Sequence, residues 1–266
     1  MITADSTRRF ELRKCLWPTP WGEREALGLF PIAPESDSEG GESQPTVVDF
    51  MSNAFLHRVR RGVGGETLIR ATGVKESERG GLRVIDATAG LGQDAALLAV
   101  AGFRVTMFER DPLLHALLAD ALRRVQEIEG RRPLALERLG ENLRLIGQPT
   151  DFVRAQESKS RDEALDSIDL VYLDPMFEDE ALHGKAETKR DLSRLRQLHR
   201  PSPEESLHVP PVSNRELLAA AQAVASRRVL VKRPLRAPHL VDEPRPHGQV
   251  EGKIARFDIY PGRPAR

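Results

Sequence analysis

The chain has 266 residues, with 40 basic against 40 acidic side chains, 39% apolar residues and 30% charged residues. That length can bury a substantial core, and the neutral balance excludes a strongly basic, sequence-blind nucleic-acid coat. No run nears the roughly 18–20 apolar residues of a membrane span, and the single cysteine, Cys15, excludes a disulfide framework or a multi-cysteine metal site.

The first residues, MITADSTRRFELRK, lack the apolar centre of a secretory leader, so a reducing, cytoplasmic setting is expected. Residues 1–46 are punctuated by Pro18, Pro20, Pro31 and Pro34, and 35–46 (ESDSEGGESQPT) form an acidic, Gly/Ser-rich linker. So little apolar surface cannot offset the entropy of ordering. The expected division is therefore an N-terminal segment, 1–46, loosely ordered in part, and a folded domain, 47–266. Trp17 and Trp21 suggest a small appendage that docks on that domain.

From Val47 the pattern becomes regular. Residues 63–73 (VGGETLIRATG) predict a short helix closed by glycine. LRVIDA (82–87) is a buried strand that runs into the turn TAGLGQ, and DAALLAVAG (94–102) is an apolar helix. FRVTMFE (103–109) is a second strand. Asp111-Pro112 then opens a helix, with proline in the first turn, where its missing N–H costs nothing. LRLIG (143–147) and IDLVYLD (168–174) are further strands. RELLAAAQAVAS (215–226) is a helix, RRVLVKR (227–233) a fifth strand and KIARFDIY (253–260) a sixth. Alternating strands and helices, with strands apolar on both faces, predict a parallel sheet covered on both sides.

Two turns carry chemistry. DATAGLGQDA (86–95) contains Gly90-x-Gly92-x-x-Ala95, followed by Glu109 at the end of the next strand. Glycines allow close backbone approach to a ligand, a helix N-terminus offers free N–H groups, and an acid at that strand end can accept from ribose hydroxyls. Nicotinamide dinucleotides and S-adenosylmethionine both use this geometry. Asp174-Pro175-Met176-Phe177, directly after an apolar strand, resembles the Asp/Asn-Pro-Pro-Tyr/Phe motif of methyltransferases that act on exocyclic base amines. Such an amine is a poor nucleophile because its lone pair is delocalised into the ring. A carboxylate and a backbone carbonyl that accept its hydrogens favour the pyramidal geometry of the transition state. Asp174 and the Pro175 carbonyl are the candidates for this role, and Phe177 offers a stacking face. Asp174 should lie beside the Gly90–Gly92 turn, since ligands sit at the carboxyl ends of such strands.

The segments 48–66, 84–118, 171–177, 228–234 and 256–260 resemble the RsmJ-type methyltransferases, most specifically in DATAGLGxDA, VYLDPMF and VKRP. The resemblance spans roughly residues 47–262. It implies a Rossmann-like class I methyltransferase fold, α/β, with a mostly parallel sheet and helices on both faces. It further implies S-adenosylmethionine as cofactor and the N2 amine of a guanine in 16S rRNA as target. Carried over by position, cofactor contacts fall on Gln93 and Asp94, Glu109 and Arg110, Pro149 and Thr150, and Asp174, beside Gly90 and Gly92. Gln93 stands where arginine is usual, Pro149 where serine is usual, and Glu178 where a second proline is usual.

The expected partner is 16S rRNA or the small ribosomal subunit. Arg58, Arg60 and Arg61 form one basic stretch. Residues 183–200 form another, with Lys185, Lys189, Arg190, Arg194, Arg196 and Arg200 against two acids. Either could follow a phosphate chain, and 33 of the 40 basic residues are arginine, the side chain suited to forked phosphate contacts. Lys232 and Arg233 end the fifth strand at the same edge, where they could meet phosphate or pair with acids. The histidines show no metal-ligand spacing, and no metal is expected. Two alternatives stay open on sequence: a nicotinamide-dependent oxidoreductase on the same fold, and a non-catalytic RNA-binding protein.

Overall fold

The computed structural model describes residues 10–32, 44–128, 133–146, 151–157, 168–175 and 212–263. Among these residues the main sheet has seven strands. They are β3 (Arg83–Asp86), β4 (Arg104–Met107), β5 (Leu143–Leu145), β6 (Leu170–Leu173), β7 (Arg228–Pro234), β8 (Gly248–Glu251) and β9 (Ala255–Pro261), and they lie in the order β5-β4-β3-β6-β7-β9-β8. The strands from β5 to β7 are parallel, with Asp86 opposite Met107 on one side and Tyr172 on the other. The chain steps outward from β3 to β5 and then returns to the far side of β3 with β6. That reversal opens a crevice at the carboxyl ends of β3 and β6.

The strands predicted from sequence form where expected, because each is an apolar run too short for a helix and bounded by turn residues. The last strand differs from a fully parallel sheet. β9 runs antiparallel to β7 and forms a hairpin with β8. β8 escaped detection because its Gly-Gln-Val-Glu is an exposed edge with no apolar run.

Helices cover both faces. α1 (Asn53–Arg60), α2 (Thr67–Ala71), α3 (Gln93–Val100), α4 (Pro112–Gln126) and α5 (Leu134–Asn142) lie on one side, where Phe50, Leu97, Leu118, Leu139 and Tyr172 share a core. α6 (Phe152–Glu157) and α7 (Asn214–Val224) lie on the other, packed through Phe152, Leu217 and Leu218 against Val171, Val229 and Tyr260. Asp111 caps α4 as its sequence promises, accepting from the backbone N–H groups of Leu113 and Leu114 at 2.8 and 3.0 Å. Ser213 and Glu216 form a reciprocal capping box on α7. α1, α5 and α6 were not anticipated.

The N-terminal segment holds a regular hairpin, β1 (Phe10–Thr19) with β2 (Gly22–Pro31), paired along its full length. Its prolines read as punctuation in sequence, yet Pro18 and Pro31 sit in edge-strand positions that tolerate the missing donor. The hairpin contributes Phe10 and Leu29 to the core that contains Phe50. The backbone N–H of Leu27 donates to Asp120 of α4 at 3.0 Å, and Trp17 Nε1 donates to Asp49 at 3.0 Å. Most of the acidic linker, residues 35–43, lies outside the described residues.

Candidate active site

The site is built where the sheet order reverses. Strand alternation decides which side chains meet there. Leu173 and Val231 point into the α6/α7 core, so Tyr172 and Lys232, each one position away, point to the α3 side. Asp174 leaves the end of β6 on that same side. Its backbone N–H donates to Thr88 Oγ1 at 2.6 Å, which ties the β6 exit to the glycine turn after β3. This is the neighbourhood expected from sequence.

Lys232 stands between two carboxylates. Its Nζ donates to Asp94 Oδ2 at 2.7 Å and to Asp174 Oδ2 at 2.9 Å. Tyr172 Oη donates to the same Asp94 oxygen at 2.6 Å. Asp94 belongs to the first turn of α3, so one ammonium links the glycine-turn helix to the β6 exit. The side chains of Asp94, Lys232 and Asp174 are 20%, 31% and 34% exposed, so this fork borders solvent.

Burial works to raise the pKa of Asp94, but the Lys232 charge and the hydrogen bonds from Lys232 and Tyr172 hold it below its ordinary value. Asp174 balances the other way. Burial, joined by the Asp94 charge, outweighs Lys232 and leaves its carboxyl above its ordinary value. Lys232 itself is held protonated: burial opposes its charge, but Asp174 and Asp94 more than compensate. Burial and the flanking carboxylates keep the Tyr172 phenol well above its usual range, so it acts as a donor.

Two further acids close the floor. Asp86, at the end of β3, is buried. Burial and the charges of Asp94, Asp174 and Glu109 outweigh the Thr88 N–H and raise its carboxyl well above the usual range. Glu109, also buried, accepts from the Gly90 N–H at 2.8 Å and from the Asp111 N–H at 2.8 Å. Asp94 and Asp174 flank one lysine, and with Glu109 at the neighbouring turn the acids outnumber it, which suits a ligand that carries positive charge.

The two glycines of the turn do different work. Both have left-handed backbones, Gly90 at φ +55° and Gly92 at φ +70°. A Cβ on Gly92 would lie 2.8 Å from Leu118 and 3.0 Å from Phe50, so that glycine makes room for the core. A Cβ on Gly90 would meet nothing within 4 Å, so that glycine leaves open space over the carboxyl edge.

The other predicted residues sort as follows. Gln93 and Arg110 are exposed, Gln93 at the start of α3 and Arg110 after β4. Pro175 is described, whereas Phe177, Pro149, Thr150, Lys185, Lys189, Arg190, Arg194, Arg196 and Arg200 lie outside the described residues. Arg58 forms a forked pair with Glu66, both contacts at 2.7 Å. Its charge nevertheless reaches Asp94, which places α1 at the edge of the crevice. Arg60 and Arg61 are exposed. Sequence reasoning did not single out Asp86, Thr88 or Tyr172, and it left Lys232 undecided. The available signals were that Asp86 immediately precedes the turn, and that Lys232 and Tyr172 have the parity of the α3 side. No group of three His, Cys, Asp or Glu residues among the described ones is arranged to hold a metal ion.

The chain is similar to several known proteins. Residues 35–262 match the family model described as "Putative SAM-dependent methyltransferase". A curated relative from Pseudomonas aeruginosa (strain LESB58), named ribosomal RNA small subunit methyltransferase J, is 38% identical over 91% of this chain and 88% of its own length. A relative of the same name from Alcanivorax borkumensis is 39% identical over 83% of this chain and 77% of its own length. Among solved structures, the SAM-dependent methyltransferase NGO1261 from Neisseria gonorrhoeae is similar with a TM-score of 0.60 and 27% identity, covering 91% of this chain and 81% of that one.

Proposed function

Because the chain belongs to the ribosomal RNA small subunit methyltransferase J family of SAM-dependent methyltransferases, we propose that it methylates the exocyclic N2 amine of a guanine in 16S rRNA. Family membership selects S-adenosylmethionine from the two ligand classes that the glycine turn leaves open. The observation that supports the amine as target is Asp174: a carboxylate at the β6 exit, tied to the glycine turn through its backbone N–H to Thr88 and partly open to solvent.

The residues fit the cofactor. The open space beside Gly90 admits a ligand against the backbone, and the acids Asp94, Glu109 and Asp174 suit its sulfonium and ammonium charges. Gly90, Gly92, Gln93, Asp94, Glu109, Arg110, Pro149, Thr150 and Asp174 are the residues proposed to hold it. When bound, it supplies a methyl group made electrophilic by the neighbouring sulfonium.

The protein's contribution is alignment. Asp174 and the Pro175 carbonyl accept the two hydrogens of the guanine amine, turning its lone pair out of the ring plane. Phe177 stacks on the base. The guanine leaves any helix it occupies so that its amine has an unobstructed line to the methyl. Arg60 and Arg61, with the basic stretch 183–200, are proposed to follow the phosphate chain. Arg58, paired with Glu66, serves first to shape the α1 edge.

The test is methyl transfer from labelled cofactor to small subunits from a strain lacking the gene, with the modified base mapped. A new N2-methylguanine is expected, and methyl on another atom or another RNA would overturn the assignment. Asp174→Ala should lower the rate about 10²–10³-fold, the size of effect seen when one group positioned on a transition state is removed. Full activity in that variant would remove Asp174 from the reaction. Wild type that bound the RNA but never methylated it would favour the binding-only alternative.

A further inference from the structure

We propose that Lys232 is a positioning residue that locks Asp94 and Asp174 into one fork, fixing the cofactor-side carboxylate and the amine-side carboxylate at a set separation. The inference deepens the reading of Asp174 as the amine acceptor and rests on it.

Three observations carry it. First, both contacts are short, at 2.7 and 2.9 Å, and they use two of the three donors of one ammonium. Second, the carboxylates come from different elements. Asp94 rides on α3 and Asp174 follows β6, so Lys232 adds a direct link between the two carboxylates to the Thr88 and Tyr172 contacts that already join these elements. Third, the far side of the fork is also fixed. Tyr172 holds the Asp94 oxygen at 2.6 Å, and its ring lies against Phe257, the register partner of Lys232 in β9. A lysine that served RNA phosphate would instead point its ammonium outward from the rim.

The fork has an electrostatic consequence. Asp94 and Asp174 are like charges near one another, and burial works against both. Lys232 is the leading influence that lowers the Asp174 pKa. Arg233, on β7, lowers it less, and Asp94 on α3 raises it. Around the fork lie Asp86 from β3, Glu109 after β4, Tyr172 from β6, and Arg58 from α1. Removing the ammonium leaves a crevice dominated by acids, where one of the two forked carboxyls takes up a proton at higher pH. A protonated Asp174 donates rather than accepts through one oxygen, so it no longer draws the amine hydrogens.

The experiment uses the full chain and the variants Lys232→Met, Lys232→Gln and Lys232→Arg. Carboxyl titrations are followed by NMR in protein labelled with ¹³C at aspartate, without cofactor, and Asp174→Asn assigns the resonance. In K232M the Asp174 midpoint should rise by about 1–3 pH units, as expected on loss of an adjacent opposite charge. K232R should return it towards wild type. If K232M does not fold, K232Q carries the same expectation with a polar side chain. The acid limb of single-turnover methyl transfer should move upward in parallel, with kcat falling more than KM for RNA changes. An unmoved midpoint in the neutral variants, or a defect confined to KM and its salt dependence, would overturn the fork and make Lys232 a phosphate contact. If wild type transfers no methyl to guanine N2 while the midpoint still shifts, the substrate reading fails and the fork stands.

Discussion

Lys232 and Arg233 are neighbours on one strand, yet they build two unlike ion clusters. Lys232 faces α3 and joins two half-buried carboxylates that come from other elements. Arg233 faces the opposite core, 4% exposed, and donates to the Pro238 carbonyl at 2.8 Å. Beside it, Arg256 donates to the carbonyls of Pro234 and Leu235 at 2.9 and 2.8 Å and to Asp258 Oδ1 at 2.8 Å. His239 Nδ1 lies 2.7 Å from Asp258 Oδ2. Asp258 is fully buried and Arg256 is 5% exposed. The second cluster thus fastens the loop after β7 to β9 and keeps its charges from water. The first keeps part of its charge available to a ligand. Alternation along a strand separates chemistry from architecture within two residues.

The largest effect that would break this contrast is on stability. Asp258→Ala removes the carboxylate between Arg256 and His239 and leaves buried guanidinium charge uncompensated. The expected loss is about 3–5 kcal/mol, read by urea unfolding, with adenosylmethionine binding retained by the folded fraction. A loss near zero would mean that the second cluster is not structural.

A similar division runs through the glycine turn. Gly92→Ala combines a left-handed backbone cost of about 1–2 kcal/mol with overpacking against Leu118 and Phe50, about 1–3 kcal/mol more. Gly90→Ala carries only the backbone cost, since its Cβ meets open space. Denaturation should therefore rank G92A well below G90A in stability. Calorimetry should show that G90A weakens adenosylmethionine binding even where the protein remains folded. Equal stability losses would erase the distinction between the two glycines.

The smallest effect concerns pH. The Asp94 carboxyl is depressed in the folded protein, so its contribution is present above the ordinary carboxylate range and is lost as pH falls through its folded value. The Asp174 carboxyl is raised, so its contribution is present below the ordinary range and is lost as pH rises through its folded value. Melting temperatures between about pH 2 and pH 7 should therefore respond oppositely. Asp94→Asn flattens the acid side of the profile, and Asp174→Asn flattens the fall just above the ordinary carboxylate range. Slopes of the same sign in both variants would contradict the opposite shifts assigned to the fork.

Much of the sheet was legible in the sequence. LRVIDA, FRVTMFE and IDLVYLD are dense in apolar and β-branched residues, and each is bounded by turn chemistry, so local pattern and fold agree. The hairpin of residues 10–31 was not legible. FELRKCLWPT buries Phe10 but leaves Leu16 exposed, and its docking depends on Asp49 and Asp120, far along the chain. At the site, Gly90, Glu109 and Asp174 could be named from the turns they occupy. Asp86 and Tyr172 were hidden inside strands, where a polar atom looks like one more position in an apolar run.

The sequence by itself determined the order of strands and helices, the glycine turn, the acid at the end of β4 and the Asp-Pro exit of β6, because these depend on spacings of a few residues. Family membership was legible for the same reason. Only the tertiary structure decided the partners of the charges. Whether Lys232 meets phosphate or carboxylate depends on which face of β7 it takes and on what α3 and β6 bring to that face. These contacts join residues 58 and 138 positions apart, and no local pattern encodes them. The balance of burial against opposite charge that sets Asp94 low and Asp174 high exists only once those distant side chains share one crevice.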